Sequence, residues 1–592
     1  MPRNERLLAV LALTIAFWEL SISCLVLKAE SPGTPGADIG RKGVERSMIR
    51  RPVALALGSG ERLYCANERS GTISVVDLHT GQVQDEFAIG SKISDIALAS
   101  GRLLALDESR NQVIVLDVAG PRHEPALTIP VPSAPVSLRV SADGSAAFVA
   151  SLWARSISRV PLSAGRDSVR VETIGLSFAP RGQILFSDRD LLVVADAFGG
   201  KIALIDVGHW KLIGVRDLPA HNIRGMCASG NQLVLAHQRL NPGAQTTFDD
   251  VHWGNLITNN LRYLSIDRLL GPLDQVLKDG SLYYLGEVGQ GAGDPAAVAR
   301  TGDGTFLVCL GGVDQVAVKA RHDSAWTRLA TGARPAALVL SPDGRRAFVA
   351  NTLDDTISVI DIIGRKVVSR ISLGPAAPLS VADRGERLFY SSRLTHDGWY
   401  SCHSCHTDGH SNGQLNDNFS DGSFGTPKRV LSLRGVRDTA PYAWLGNVPD
   451  LETQIRKSVQ VTMQGNRPDE KTVSDLAAYL RTLEPTPAVD ADKRDQPIVL
   501  RGAAVFQEQG CTHCHAGPYY TSPRTYDVGI TDEAGNARFN PPSLRGISQT
   551  GPYFHDGRAA TLEDVFQRYR HELKTELGRD ETAALIAYLR RL

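Results

Sequence analysis

The stretch "SPDGRRAFVANTLDDTISVIDIIGRKVV", Ser341 to Val368, is the clearest copy of a phrase that recurs through the first two-thirds of the chain. Each copy has a short apolar run, a turn, an alternating run that ends in Asp, and a Gly turn. Short strands repeated at a fixed period indicate one four-stranded blade per copy. The spacing is near 40 to 46 residues except across an insertion near Asn241 to Gln290. Other copies begin at Arg62, Leu103, Ala142 and Leu191, with weaker ones at Asn231 and Gly302.

The repeats predict an all-β propeller of about seven blades over residues 50–392. A last half-copy, "RGERLFYSSR" from Arg384, is predicted to close the ring. The Ser341 stretch resembles the YVTN-type propeller repeats of exported bacterial proteins. The insertion, around "TTFDDVHWGNLITNN" (Thr246 to Asn260), is expected to form a lid or an interface.

Helical periodicity replaces the strand repeats after Ser392. "VSDLAAYLRTL" (Val473 to Leu483) and "TAALIAYLRRL" (Thr582 to Leu592) are near-copies with apolar residues at helical spacing. "SLRGVRDTAPYAWLGNVPDLETQ", from Ser432, matches "SLRGISQTGPYFHDGRAATLEDV", from Ser543, at ten of 23 positions. The sequence therefore predicts two mainly α cytochrome c-like modules, at 393–484 and 498–592, joined by a linker at 485–497.

Each module carries one C-x-x-C-H box, and the two boxes lie 109 residues apart. A zinc knuckle would need two further histidines in each small site, and a thioredoxin-like pair would need a βαβ context that is missing. Two thiols three residues apart on a helical turn instead reach the two vinyl groups of a haem, and the following His binds the iron. We expect two covalent c-type haems, held by Cys402, Cys405, Cys511 and Cys514.

His406 and His515 are the predicted proximal iron ligands, whereas His403 and His513 are expected to be exposed spacer residues. The opposite ligand in small c-type modules comes from a later helix. Met463 lies 57 residues after His406, and Tyr569 lies 54 after His515. Tyr569 has an alternative interpretation as a core aromatic on a helix that a capping box opens at 561–564.

The span from about Tyr400 to Leu592 resembles the bacterial dihaem cytochrome c peroxidase superfamily, which includes the MauG-type enzymes. "PPSLRGISQTGPYFHDGRAATLEDVFQRY", from Pro541, carries that resemblance. It implies that the sixth ligand of the second haem lies fourteen residues after His555. That residue is Tyr569, and Tyr is the ligand in the MauG type, where ordinary peroxidases have Met.

The same resemblance places an electron relay between the haems at Trp444 and an active-site Gln at Gln454. The family's acidic residue is absent, because 462–464 read Thr, Met and Gln, and no distal His is found. His410 and Asp408 are expected to be loop residues with a potential propionate contact. Met463 could also cap the first iron. The family often binds calcium between its modules, and no ligands for calcium can be assigned here.

The bulk composition sets the broad class. The chain has 592 residues, too many for one core, with 64 Lys+Arg and 64 Asp+Glu. That balance does not favour a nucleic-acid partner. Residues 1–29 read as a signal peptide, with retention as a membrane anchor as the alternative, so a periplasmic protein is expected. Buried, inert thiols rather than a disulfide are expected for Cys65, Cys227 and Cys309.

The predicted function is that of a peroxidase, which reduces hydrogen peroxide or uses it to oxidise a partner protein. The expected partner is that protein substrate or a small redox protein, and the propeller is the expected docking domain. The main rival is a non-catalytic dihaem electron carrier. A second rival places catalysis in the propeller. Its histidines are scattered singly without ligand spacing, at His79, His123, His209, His221, His237, His252 and His322.

Overall fold

Seven four-stranded antiparallel sheets follow one another along the first part of the chain, each built from consecutive strands. The computed structural model describes residues 47–118, 125–162, 170–491, 493 and 495–592. The predicted seven-bladed propeller is confirmed. Its blades are β1–β4 (Pro52–Leu57, Arg62–Asn67, Thr72–Asp77, Gln82–Ala88), β5–β8 (Ile93–Ala99, Arg102–Asp107, Gln112–Asp117, Pro125–Pro130), β9–β12 (Pro135–Val140, Ala146–Ser151, Ser156–Pro161, Glu172–Gly175), β13–β16 (Pro180–Phe186, Leu191–Asp196, Lys201–Asp206, Lys211–Asp217), β17–β20 (His221–Ser229, Gln232–Leu240, Ile257–Ser265, Ser281–Tyr284), β21–β24 (Pro295–Arg300, Phe306–Leu310, Gln315–Lys319, Thr327–Ala330) and β25–β28 (Pro335–Leu340, Arg346–Asn351, Thr356–Asp361, Lys366–Ser372).

The middle strands of each blade are apolar because neighbouring blades cover both of their faces. In the first blade, β2 and β3 are almost wholly buried, whereas the outer strand β4 is mostly half-exposed. The thiols of Cys65 and Cys309 are buried and that of Cys227 is partly buried, and none of the three is in a disulfide. The prediction of buried, unpaired thiols is confirmed for Cys65 and Cys309.

The ring closes between β1 and β25, which lie side by side. The backbone N–H groups of Arg50 and Arg51 donate to the Asp355 carboxylate at 2.9 and 2.8 Å. The Thr352 hydroxyl donates to the carbonyl of Pro52 at 2.8 Å. Hydrogen bonds from side chains of the last blade therefore attach the start of the first blade to it.

The prediction that the "RGERLFYSSR" half-copy closes the ring is wrong. Residues Val381–Phe389 form a helix, α3, which Ser380 opens with a capping box. A Cβ at Gly385 would lie 1.9 Å from the carbonyl oxygen of Asp475, so the helix crosses its partner through this glycine. The helical region thus begins at Val381, before the predicted boundary at 393.

The two helical modules share one design. In the first, α3 packs on α6 (Glu470–Thr482), and in the second, α7 (Pro497–Glu508) packs on α8 (Arg579–Leu589). A Cβ at Gly502 of α7 would meet the Ala584 carbonyl oxygen at 1.9 Å, as at Gly385. The segment at 485–491 is non-helical, and α7 starts at Pro497. The remaining elements are α4 (Cys402–Cys405), α5 (Leu451–Lys457), α6 (Glu470–Thr482), α7 (Pro497–Glu508), α8 (Arg579–Leu589), two π-helical turns (Ser458–Thr462 and Asp564–Arg568) and the short strands β29 (Leu415–Asn416), β30 (Lys428–Arg429), β31 (Tyr526–Asp527) and β32 (Arg538–Phe539).

The insertion lies in the fifth blade and adds two short helices, α1 (Phe248–His252) and α2 (Ile266–Leu270). A Cβ at Gly254 would touch the indole of Trp399, so the insertion packs closely on the helical region. It therefore forms an interface, one of the two expected roles. Among the described residues, no helix is both long enough and apolar enough to span a membrane. The predicted signal or anchor at 1–29 lies outside the described residues.

Candidate functional site

The first C-x-x-C-H box forms the short helix α4, and His406 follows it directly. The Nδ1 atom of His406 lies 2.8 Å from the carbonyl oxygen of Leu431, which fixes the proton on Nδ1 and leaves Nε2 as the metal-binding nitrogen. Burial lowers the pKa of His406 to about 4, so the ring is neutral near pH 7. Cys402, Cys405 and His406 line one wall of a cavity of about 310 Å³.

Residues of the propeller hydrogen-bond to α4 and to the residue before it. The hydroxyls of Ser401 and Ser404 both donate to the carboxylate of Asp294, the latter at 2.6 Å. The Gln238 amide donates to the Ser404 hydroxyl at 3.1 Å. Burial raises the pKa of Asp294. Residues of the fifth and sixth blades thus fix the orientation of the box.

The prediction that His403 is an exposed spacer is wrong. Its side chain is buried against Tyr390, and its Nδ1 accepts the backbone N–H of Asp408 at 3.0 Å. Burial lowers the pKa of His403 well below its ordinary value, so the ring is a neutral packing residue. The second-box counterpart, His513, is exposed as predicted.

The Asp408 carboxylate joins this turn to the propeller. It accepts hydrogen bonds from Arg181 and Arg224, both at 2.8 Å. His410 is also buried, between Trp153 and Phe198 of the propeller, and its Nε2 lies 3.0 Å from the carbonyl oxygen of Gln549. Asp408 and His410 therefore lie at the interface with the propeller, and their side chains contact other residues of the chain.

The opposite wall of the cavity comes from α5 and the π-helical turn after it. The Gln454 amide donates to the Ser458 hydroxyl at 3.1 Å. Its Oε1 is buried with no hydrogen-bond partner among the described residues. Met463, at the end of the π turn, is buried beside Tyr400 and also lines the cavity. Gln454 and Met463 therefore face the same space as the box.

Of the three residues near the family's acidic position, Thr462 and Met463 line the cavity and Gln464 does not. Gln464 turns away and donates to the carbonyls of Thr246 and Val461, at 2.6 and 2.9 Å. A different carboxylate, Asp421, does line the cavity, from a loop that contacts the π turn. Its Oδ2 pairs with the Lys428 ammonium, and its Oδ1 has no partner among the described residues. No sequence signal pointed to Asp421.

Three arginines also line the cavity: Arg429, Arg434 and Arg545. The Nε of each is buried with no hydrogen-bond partner among the described residues. Burial lowers the pKa of Arg429 to about 10. Arg434 and Arg545 stand at matching places in the two "SLRG" segments, a signal that the repeat offered. Unsatisfied cationic donors at a cavity wall suit an anionic ligand group.

Trp444 lies where the two modules meet. Its indole N–H donates to the Arg429 carbonyl at 2.8 Å. Its ring centroid is 6.4 Å from that of His555, which stacks on Phe539 at 4.4 Å. The structure therefore brings Trp444 to the intermodule position that its predicted relay role requires, and the role itself stays a prediction.

The second box is more open to solvent than the first. The Nδ1 of His515 lies 3.1 Å from the Tyr520 carbonyl oxygen, the same arrangement as at His406. Burial lowers the pKa of His515. The Tyr569 hydroxyl donates to the Arg558 carbonyl at 2.9 Å. The ring of His571, which the sequence did not point to, lies 5.3 Å from the ring of Phe554, which in turn lies 5.5 Å from the ring of Tyr569. Burial lowers the pKa of His571 to about 4.

Met463 and Tyr569 occupy equivalent positions in the two modules. Each directly follows a π-helical turn, Ser458–Thr462 in the first module and Asp564–Arg568 in the second. The residue after each has positive φ, 49° at Gln464 and 46° at Arg570. Their spacings from the two boxes differ, which hid the equivalence in the sequence. Only the structure shows that both residues end the same turn.

A known family model matches the chain from α3 to the segment that follows α6. Residues 381–491 match the family model described as Di-haem cytochrome c peroxidase. The helical region is related to the dihaem cytochrome c peroxidases. The start of the match at 381 coincides with the start of α3, which supports assigning that helix to the dihaem cytochrome c peroxidase region rather than to the propeller.

Three curated relatives match at the level of sequence. A "Cytochrome c551 peroxidase" of Nitrosomonas europaea is 27% identical over 36% of this chain and 79% of its own length. A "Methylamine utilization protein MauG" of Methylorubrum extorquens is 25% identical over 37% of this chain and 79% of its own. A "Hydrazine synthase subunit gamma" of Kuenenia stuttgartiensis is 25% identical over 35% and 76%. The peroxidase and MauG relatives support a peroxidase-like oxidoreductase.

The first cavity fits the c-type haem that this family implies. One wall presents two thiols and a neutral imidazole with a fixed tautomer, the arrangement that c-type attachment needs. The guanidinium groups of Arg429, Arg434 and Arg545 have spare donors for two propionates. The far wall offers Gln454 and Met463. The donor set at the first box therefore fits a c-type haem.

Proposed function

We propose that the chain is an exported dihaem c-type cytochrome of the peroxidase/MauG type, which reduces hydrogen peroxide or uses it to oxidise a partner protein. Two haems would be covalently attached, at Cys402–His406 and Cys511–His515. The observation that carries the proposal is the first cavity, which the C-x-x-C-H box shares with Gln454, whose Oε1 has no partner within the described part of the chain.

A haem bound at His406 would supply the redox chemistry of its iron. Reduction of one hydrogen peroxide to two water molecules also consumes two protons and two electrons. The carbonyl oxygen of Leu431 keeps the proton on Nδ1 of His406 and so orients the ring. The Gln454 carboxamide, held by Ser458, can hydrogen-bond a small polar substrate in the cavity. A carboxamide is neither an effective acid nor an effective base near neutral pH, so Gln454 positions the substrate and does not act as acid or base.

Asp421 is our candidate for the proton donor and acceptor. Asp421 lines the cavity from the loop at 419–421; Lys428 holds one carboxylate oxygen, and the other, Oδ1, has no partner among the described residues. Lys428 in turn pairs with Asp532 of the second module at 3.0 Å, which fixes the loop. General acid–base groups need hydrogen-bond reach of the proton that they move, and Asp421 lines the same cavity as His406.

Trp444 would pass oxidising equivalents between the two sites. It lines the first cavity and contacts His555 of the second module. Tyr569, as a ligand of the second haem, would favour the oxidised state of that haem. The propeller would provide the surface on which a small redox protein or a protein substrate docks, and the same propeller covers the back of the first box through Asp294.

Stopped-flow absorbance of the ferric protein mixed with hydrogen peroxide tests this proposal. We expect rapid spectral change in the wild-type protein. Asp421→Asn should slow the reaction by roughly 10² to 10⁴, the usual contribution of general acid–base catalysis. Gln454→Ala should also slow the reaction, whereas Gln507→Ala, which changes an exposed glutamine on α7, is the matched control and should react as the wild type does. No reaction of the ferric or the half-reduced protein would refute peroxide activation.

One observation favours a second candidate function, a non-catalytic electron carrier. Met463 ends the same π turn in the first module as Tyr569 does in the second. If Met463 and Tyr569 both bound iron, neither haem would have an open position. Cyanide binding separates the candidates: a carrier would bind cyanide only after Met463→Ala, whereas the peroxidase would bind it as wild type.

A further inference from the structure

Three potential metal ligands meet outside the haem sites: His252, His396 and Asp397. The Nδ1 of His252 lies 3.2 Å from Nε2 of His396 and 3.0 Å from Oδ2 of Asp397. The Nε2 of His396 lies 3.3 Å from the same carboxylate oxygen. Among the described residues, no other group of three or more His, Cys, Asp or Glu side chains converges this closely.

We propose that His252, His396 and Asp397 bind one divalent transition-metal ion of the zinc class, and that this ion clips the propeller to the first haem module. His252 ends α1, in the insertion of the fifth blade, and its two partners lie 144 and 145 residues later, between α3 and α4. This proposal does not depend on the proposed function.

The distances among the three atoms are those of a metal coordination shell. Ligands at about 2.0–2.1 Å from a tetrahedral zinc ion lie roughly 3.3–3.4 Å from one another. The observed triangle has sides of 3.0, 3.2 and 3.3 Å. Widening the three ligand–ligand distances by at most about 0.4 Å is all that coordination requires.

Hydrogen bonds alone cannot satisfy all three contacts among these atoms, whereas one metal ion can. The Nδ1 of His252 faces two acceptor-capable atoms but can carry only one hydrogen, so one of its two contacts lacks a proton when the ring is neutral. A cation at the centre satisfies both imidazole lone pairs and the carboxylate together. The ligand set also selects the ion, because imidazole suits zinc, copper and nickel, whereas calcium takes six to eight oxygen ligands.

The surrounding structure holds the ligands in place. The ring of Phe248 stacks on His252, with centroids 5.6 Å apart, and lies 4.7 Å from His396. Asp397 has φ of 58°, and its carbonyl accepts the N–H of Gly291 at 2.7 Å. The three side chains are 20–31% exposed, which leaves one face open for a water molecule as fourth ligand.

The site adjoins the first haem cavity. The backbone N–H of His396 donates to the Met463 carbonyl at 3.2 Å, and the Trp399 indole N–H donates to the His252 carbonyl at 3.3 Å. A bound ion would therefore restrain the segment that carries Met463. Because His252 shows no ligand spacing in the sequence, only folding reveals its partners.

Zinc binding by the full-length holoprotein tests the proposal. The protein is stripped with a chelator, incubated with Zn²⁺ and desalted, and zinc and iron are then counted by mass spectrometry. We expect one zinc per chain in the wild type and none in His252→Ala or Asp397→Asn. Asn tolerates positive φ, so Asp397→Asn keeps the fold if the alanine variant does not.

The control is His209→Ala. His209 pairs with Asp206 at 2.8 Å on an exposed turn but has no second imidazole, so its loss should leave the zinc content unchanged. Zinc-edge X-ray absorption should show nitrogen and oxygen ligands including two imidazoles. A wild-type protein that retains no zinc, or ligand variants that retain as much as the wild type, would overturn the proposal.

Discussion

Replacing Asp408 with alanine should loosen the attachment of the first haem box to the propeller. Its carboxylate accepts from Arg181 and Arg224, both at 2.8 Å, and the three side chains are 21%, 29% and 14% exposed. Burial raises the pKa of Asp408, but Arg224 and Arg181 overcome that effect and hold the pKa well below its usual range. The carboxylate is therefore ionised, and its removal leaves two guanidinium groups unpaired.

The expected cost follows from this geometry. Removing one partner of a buried ion pair costs about 3–5 kcal/mol. Because Asp408 is one-fifth exposed, water can partly replace it, and we expect the lower end, about 3 kcal/mol. That corresponds to a roughly hundredfold rise in the equilibrium constant for local opening.

Hydrogen exchange measured by mass spectrometry reads this local opening directly in the holoprotein. Peptides that cover residues 402–412 should exchange roughly a hundredfold faster in Asp408→Ala. The matched control is Arg393→Ala, because Arg393 pairs with Asp314 of the propeller at 3.2 Å but is 70% exposed. Such an exposed pair is worth about 0–1 kcal/mol, a change of about fivefold at most. Equal effects in the two variants would refute the reasoning.

Three further predictions concern the helix crossing, the second haem and pH. Gly385→Ala should destabilise the first module by about 3 kcal/mol in thermal unfolding, because the new Cβ meets a backbone carbonyl at 1.9 Å. The control is Gly302→Ala, which should have little effect because the space around Gly302 is open. Tyr569→Phe should change the absorption and electron paramagnetic resonance spectra of the second haem, and exposed Tyr283→Phe should not; identical spectra would exclude Tyr569 as a ligand. Burial lowers the pKa of His221 to about 4, so between pH of about 6.5 and 4 the unfolded chain binds a proton that the folded chain does not. Stability should therefore fall as pH is lowered through that window, and less in His221→Leu, measured as the thermal midpoint at about pH 7 and about pH 5.

Local patterns in the sequence predicted the blades and the two boxes, because both are set by neighbouring residues. The half-copy from Arg384 shows where such patterns mislead. Its apolar residues suit a strand, but Ser380 and Asp383 cap a helix there. The better signal was the match of "RGERLF" to "RGAAVF" in α7, where both segments place a glycine at a helix crossing.

The sequence alone determined the propeller, the paired helical modules and the residues able to hold two haems, since repeat period and C-x-x-C-H spacing are properties of short segments. Only the tertiary structure decided what faces those residues. It brought Asp421 to the cavity, Asp294 to the back of the first box, and His252 to within 3.2 Å of His396, 144 residues away. The physical reason is that packing of blades against helices, rather than sequence spacing, sets contacts between distant segments.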